Sequence, residues 1–144
     1  MSKDISQAFV QFSEAIWNIN AYVAEIIAQN EELNQYSSQQ LQTLRIIKEH
    51  PDISQSEIAA IQGVFKTAIS NRIKKLELGG LIAISSGRDR REKSVKITDK
   101  GLHLMNTSEK VIYGHLNDLL SSEFSNEEIV TFTKQLHRIN QLLK

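Results

Sequence analysis

A mainly α fold carrying one small β-hairpin is what this 144-residue sequence predicts. Three observations predict it. Apolar residues recur at helical three-four spacing in six separate stretches. Ser-x-x-Gln or Ser-x-x-Glu boxes at Ser37, Ser54 and Ser125 mark helix starts. Two short runs, "LIAI" and "SVKIT", flank the turn-forming residues Ser85, Ser86, Gly87 and Asp89.

The first helix shows a heptad seam: Ile5, Phe9, Phe12, Ile16, Ile19, Val23 and Ile26 alternate spacings of four and three. A stripe of that length needs a partner. The second helix, in "YSSQQLQTLRIIKEHP", opens at Ser37 and faces inward with Leu41, Leu44, Ile46 and Ile47. It ends at His50, because the residue before Pro51 is pushed out of helical geometry. A third, short helix follows Ser54, with Ile58, Ala59 and Ile61 expected inside, and Gly63 turns the chain. The fourth, in "FKTAISNRIKKLELGG", buries Ile69, Ile73 and Leu76 and stops at Gly79-Gly80. After the hairpin, Thr98 caps a fifth helix lined by Leu102, Met105, Ile112, Leu116 and Leu119. The sixth carries the seam Ile129, Phe132, Leu136, Ile139 and Leu143.

Composition narrows the function classes. Cysteine is absent, which removes disulfides, thiolate metal sites and cysteine nucleophiles, and agrees with a cytoplasmic setting. The start "MSKDISQAFV" lacks the apolar core of a secretory signal, and no apolar run approaches the roughly 20 residues that span a bilayer. No membrane partner is expected. His50, His103, His115 and His137 form no i, i+4 pair, so no metal site and no cofactor is expected. Ser, His and Asp occur without a nucleophile elbow, a Gly-rich loop or a carboxylate pair, which argues against an enzyme.

The zero net charge conceals an asymmetry. Between Gln62 and Lys100 ten basic residues stand against four acidic ones, a local +6. A basic middle in a neutral chain suits contact with a polyanion; a solvated charged face is the alternative. A short helix, a Gly turn, a helix with a polar free face and a β-hairpin together make a winged helix-turn-helix. With Ile69, Ile73 and Leu76 inward, Thr67, Ser70, Asn71 and Lys74 fall on the free side of the fourth helix, flanked by Lys66 and Lys75. These side-chain types read base edges and phosphates. Gln55 and Ser56 open the preceding helix, whose backbone N–H groups suit a phosphate. In the hairpin stretch "SSGRDRREKS", Arg88, Arg90 and Arg91 do nothing for a turn, but arginine suits the negative potential of a narrow minor groove. Asp89 would be repelled by phosphate, and makes sense as the partner that aims a neighbouring arginine.

The stretch "SQSEIAAIQGVFKTAISNRIKKLELGGLI" followed by "GRDRREKSVKITDKG" resembles the MarR family of bacterial and archaeal transcription regulators. The Asp-x-Arg wing pattern is matched by Asp89, Arg90 and Arg91, and the helix start after the wing by Ile97, Thr98 and Gly101. The end of the recognition helix is matched by Leu76-Glu77 through Gly80-Leu81-Ile82. One departure is Phe65, where the family often has Ser or Asp. The resemblance implies a homodimer, with terminal helices as the interface and Arg91 as the minor-groove residue. It also implies a small-molecule effector, often an aromatic or phenolic acid. Trp17, Tyr22, Tyr36, Tyr113 and His115 are candidates to line its pocket.

The expected organisation is an N-terminal dimerisation helix at 1–35, a winged helix-turn-helix at 36–101 and C-terminal dimerisation helices at 102–144. Ile5, Phe9, Phe12, Ile16, Ile19, Ile129, Phe132, Leu136 and Ile139 are the expected dimer interface, with packing of the same helices inside one chain as the alternative. The expected function is that of a repressor bound as a homodimer to a palindromic double-stranded DNA operator. A winged-helix module for protein or RNA contact is the rival: a protein-contact module would tolerate an apolar recognition helix and a neutral wing, neither of which this sequence has, whereas charge alone leaves RNA open.

Overall fold

The computed structural model describes residues 3–86 and 93–144. These residues form α1 (Lys3–Gln29), α2 (Ser38–Glu49), β1 (Ile53–Ser54), α3 (Gln55–Gln62), α4 (Lys66–Leu78), β2 (Ile82–Ser86), β3 (Lys93–Ile97), α5 (Asp99–Leu120) and α6 (Asn126–Leu143). The fold is mostly helical with a β-hairpin, as the sequence predicts, and the hairpin is part of a three-stranded antiparallel sheet of order β1-β3-β2.

The caps act where the sequence places them. Ser37, Ser54 and Ser125 each accept from the backbone N–H three residues on, and Gln40, Glu57 and Glu128 reach back to the cap N–H. Each such cap stabilises its helix by about 1 kcal/mol. Below α2, α3 and α4 lies one core in which Leu44, Ile47, Ile58, Ile69, Ile73, Leu76, Leu81 and Val95 are all fully buried. Ile27 at the end of α1 and Leu33 after it join this core.

Two features depart from the sequence reading. The strand β1 was not expected: Ile53 pairs with Val95 and Ser54 with Ser94. The turn into it places Asp52 at φ 62, a left-handed conformation that aspartate tolerates better than most residues, and Lys96 pairs with its carboxylate at 3.4 Å. Ile61 was expected inside and is 52% exposed. At about 100° per residue, Gln62 falls between Ile58 and Ala59 while Ile61 lies off to one side. Gln62 therefore takes the inward place, and its carboxamide oxygen accepts from Thr43 at 2.6 Å and Arg72 at 3.2 Å.

Outside the core the outer helices are bare. No residue of α6 is buried, and α1 is buried only at Ile26 and Ile27. Ile5, Phe9, Phe12, Ile16 and Ile19 stay exposed, as do Ile129, Phe132 and Ile139; Leu136 is half-buried. Packing within the chain does not cover these seams.

Candidate nucleic-acid interface

The candidate site begins with how α4 is held. Its start is reached through Gly63, at φ 67, and Val64, which packs on the core. Its end is clamped to the start of α5. Leu81 N donates to Leu76 O at 3.0 Å across Gly80, itself at φ 74. Thr98 Oγ1 donates to Gly80 O at 2.7 Å, and Lys100 Nζ to Gly79 O at 2.8 Å. Thr98 also caps α5 by accepting from Gly101 N at 3.1 Å. A Cβ on Gly101 would collide with the Leu81 carbonyl and the Ile97 side chain. The Ile-Thr-x-x-Gly pattern is thus architectural. It fixes α4 against the wing and α5.

With Ile69, Ile73 and Leu76 fully buried, Lys66, Thr67, Asn71, Lys74 and Lys75 are exposed together on the other side of α4. Ser70 is half-buried between the two helices, and its hydroxyl donates to Gln55 Oε1 at 3.1 Å. That bond ties α4 to the first turn of α3. The Ser54 cap occupies the Glu57 N–H. Gln55 and Ser56, both half-buried, stand ahead of it in that first turn. Phe65 is the N-cap of α4, makes no side-chain cap bond and is 86% exposed. The departure noted in the sequence therefore leaves this helix start uncapped.

The hairpin pairs from Ile82 opposite Ile97 to Ser86 opposite Lys93, with Ser85 and Ser94 hydroxyls 2.8 Å apart. Arg88, Asp89, Arg90 and Arg91 lie outside the described residues. Among the described basic residues of this region, Arg72 donates to Gln62 Oε1, Lys96 pairs with Asp52, and Lys100 donates to the Gly79 carbonyl.

Two clefts border α1 and α2, and the first of them reaches α5 as well. One, of about 300 Å³, is walled by Val23, Leu41, Met105 and Ile112 with Asn20, Arg45, Glu109 and Tyr113 at its polar parts. The other, of about 350 Å³, includes Ala24, Asn34, Tyr36 and Gln39. Sequence reasoning named Tyr113 and Tyr36 but missed Asn20, Arg45 and Glu109, which no local spacing marks. Trp17, 71% exposed, is on neither wall, nor are Tyr22 and His115. Tyr22 instead donates to the His115 carbonyl at 3.5 Å, joining α1 to α5. Glu109 pairs with Lys48 at 3.3 Å, joining α2 to α5.

Known proteins share this arrangement. The model of the MarR family matches residues 34–92. The HTH-type transcriptional regulator TcaR of Staphylococcus aureus (strain Newman) is 30% identical over 142 residues, 96% of this chain and 93% of that protein. The chain belongs to the MarR family. It is a transcription regulator of the winged-helix kind and not an enzyme. Among solved structures, the transcriptional regulator BldR from Sulfolobus solfataricus superposes with a TM-score of 0.81 at 23% identity, over 99% of this chain and 98% of that one. FabT of Streptococcus pneumoniae, solved in complex with DNA, gives 0.75 at 21% identity over 96% of each chain. These structures share the fold. Among the described residues no helix is long and apolar enough to cross a membrane.

Proposed function

We propose that this MarR-family protein recognises a palindromic operator in double-stranded DNA as a homodimer, and that it represses transcription until a small aromatic or phenolic effector releases it. The observation that carries the reading is α4. Its apolar side is sealed in the core, its C-terminal end is clamped to the start of α5, and Lys66, Thr67, Asn71, Lys74 and Lys75 stand exposed. A helix held that rigidly can enter a major groove without ordering first. FabT, which shares the fold, is solved in complex with DNA, which supports a DNA-binding role for this fold.

The supporting parts follow from it. Gln55 and Ser56 face a phosphate from the first turn of α3. Arg91 enters the minor groove, aimed by Asp89, while Arg88 and Arg90 meet phosphates. The bare seams of α1 and α6 pack against a second copy, which sets two α4 helices about one DNA turn apart. The cleft bearing Arg45 and Tyr113, between the helices of the dimer region and α2, is where an aromatic acid would act. The test is selection of duplexes from a randomised library, followed by competition with RNA at matched salt. A single palindromic preference that RNA does not compete away is expected. Binding without sequence preference, or equal competition by RNA, would overturn the reading in favour of a general winged-helix contact module.

A further inference from the structure

Phe65 is used by neither the core nor the polar face of α4. As N-cap it stands where Ser, Thr, Asp or Asn would accept a bond from the first N–H groups, and it makes none. Its ring is 86% exposed, although the preceding Val64 turns inward. The free protein therefore loses a cap at this position and gains no burial. The ring sits at the end of α4 where Lys66 and Thr67 are also exposed. The N-terminal residues of a recognition helix are those that reach base edges.

A phenyl ring can neither donate to nor accept from a base edge or a phosphate. In the major groove the apolar group it can recognise is the C5-methyl of thymine. We propose that Phe65 is a specificity-determining residue that reads one thymine methyl in each half-site. The inference rests on α4 being the helix that enters the major groove, and deepens that reading by naming a base.

The experiment uses the full chain and a duplex selected by the wild-type protein from a randomised library. Each thymine is replaced in turn by deoxyuridine, which keeps every hydrogen-bonding group and lacks only the methyl. At one thymine per half-site the replacement should weaken wild-type binding about fourfold, the equivalent of one buried methyl. It should leave Phe65→Ala indifferent. Phe65→Ser should be equally blind to the methyl while unfolding no earlier than wild type, since it restores the cap. Phe65→Leu should retain part of the discrimination. If wild type and Phe65→Ala respond alike to every thymine replacement, the proposal falls and the assignment of α4 stands. A uniform loss of affinity in Phe65→Ala on both thymine and uracil duplexes also overturns it, because the ring then touches sugar, phosphate or protein. If the library yields no preferred sequence, the assignment of α4 and this proposal fall together.

Discussion

Ser70 has a single hydroxyl proton, and Gln55 Oε1 accepts it at 3.1 Å. The Gln55 carboxamide is thereby left to offer N–H donors, which suit a phosphate oxygen better than they suit a two-way match with adenine. Ser70 then acts by aiming Gln55 rather than by touching a base. Ser70→Ala and Gln55→Ala should each weaken binding to all duplexes alike, and the double variant should be no weaker than the worse single one. Preference profiles from a randomised library, with titrations at fixed salt, check this; a change of preference at one base position in Ser70→Ala would make Ser70 a reader. Asn71 is different, since it is exposed on the same face. Asn71→Ala should relax one position per half-site, by about 1–3 kcal/mol against the preferred base. Asp89→Ala separates two physical ideas by sign. Removing a negative charge alone strengthens DNA binding, whereas losing the group that aims Arg91 weakens it. Weaker binding is expected, read from one titration against operator DNA.

At the scale of the elements, α4 is held in place by its neighbours. Gln62 holds Thr43 of α2 and Arg72 of α4 through one oxygen. Gln62→Ala leaves the buried Thr43 hydroxyl and the half-buried guanidinium without that acceptor, and should lower stability by about 1–3 kcal/mol. Gly101→Ala should be comparably damaging, because its Cβ would meet the Leu81 backbone, which cannot yield as a side chain could. Denaturant unfolding at one protein concentration measures both. The sequence made Gly101 visible as part of a pattern but not the reason for it: the collision involves Leu81, twenty residues away along the chain. Helix starts at Ser37, Ser54 and Ser125 were legible because capping is a local bond between residues three apart. Ile61 misled because an apolar residue on a short helix carries too little periodicity to fix a face, and the inward place went to a glutamine with two donors waiting. The strand β1 has two residues, too few for an alternation, and exists because β3 offers it a partner. The polar walls of the α1–α2–α5 cleft come from three helices far apart in sequence, so no spacing announced them.

For the whole molecule, the largest unexplained cost is apolar surface in water. Along α1, Ile5, Phe9, Trp17 and Ile19 are each at least half exposed, and no residue of α6 is buried at all. Charge does not offset this, because the chain is neutral overall and its positive excess lies in the middle, away from both seams. A second copy would supply the same two seams by symmetry, so that one interface would cover four stripes. Phe12 and Ile16 are the less exposed among the exposed members of the α1 seam, at 39% and 42%, and sit toward its middle. Replacing both by Glu places two carboxylates where the apolar surfaces would meet, while the buried core from Ile26 onward is untouched. The expected product is a folded monomer, seen by light scattering at micromolar concentration beside a wild-type dimer. Its far-ultraviolet circular dichroism should stay helical, since α2 through α5 keep their contacts. Operator affinity should fall far more than one lost phosphate contact would allow, because each half-site then binds alone and the gain from holding two reading helices on one molecule disappears. A wild-type chain that scatters as a monomer, or a Phe12→Glu, Ile16→Glu protein that remains a dimer with full affinity, would place the interface elsewhere on the surface.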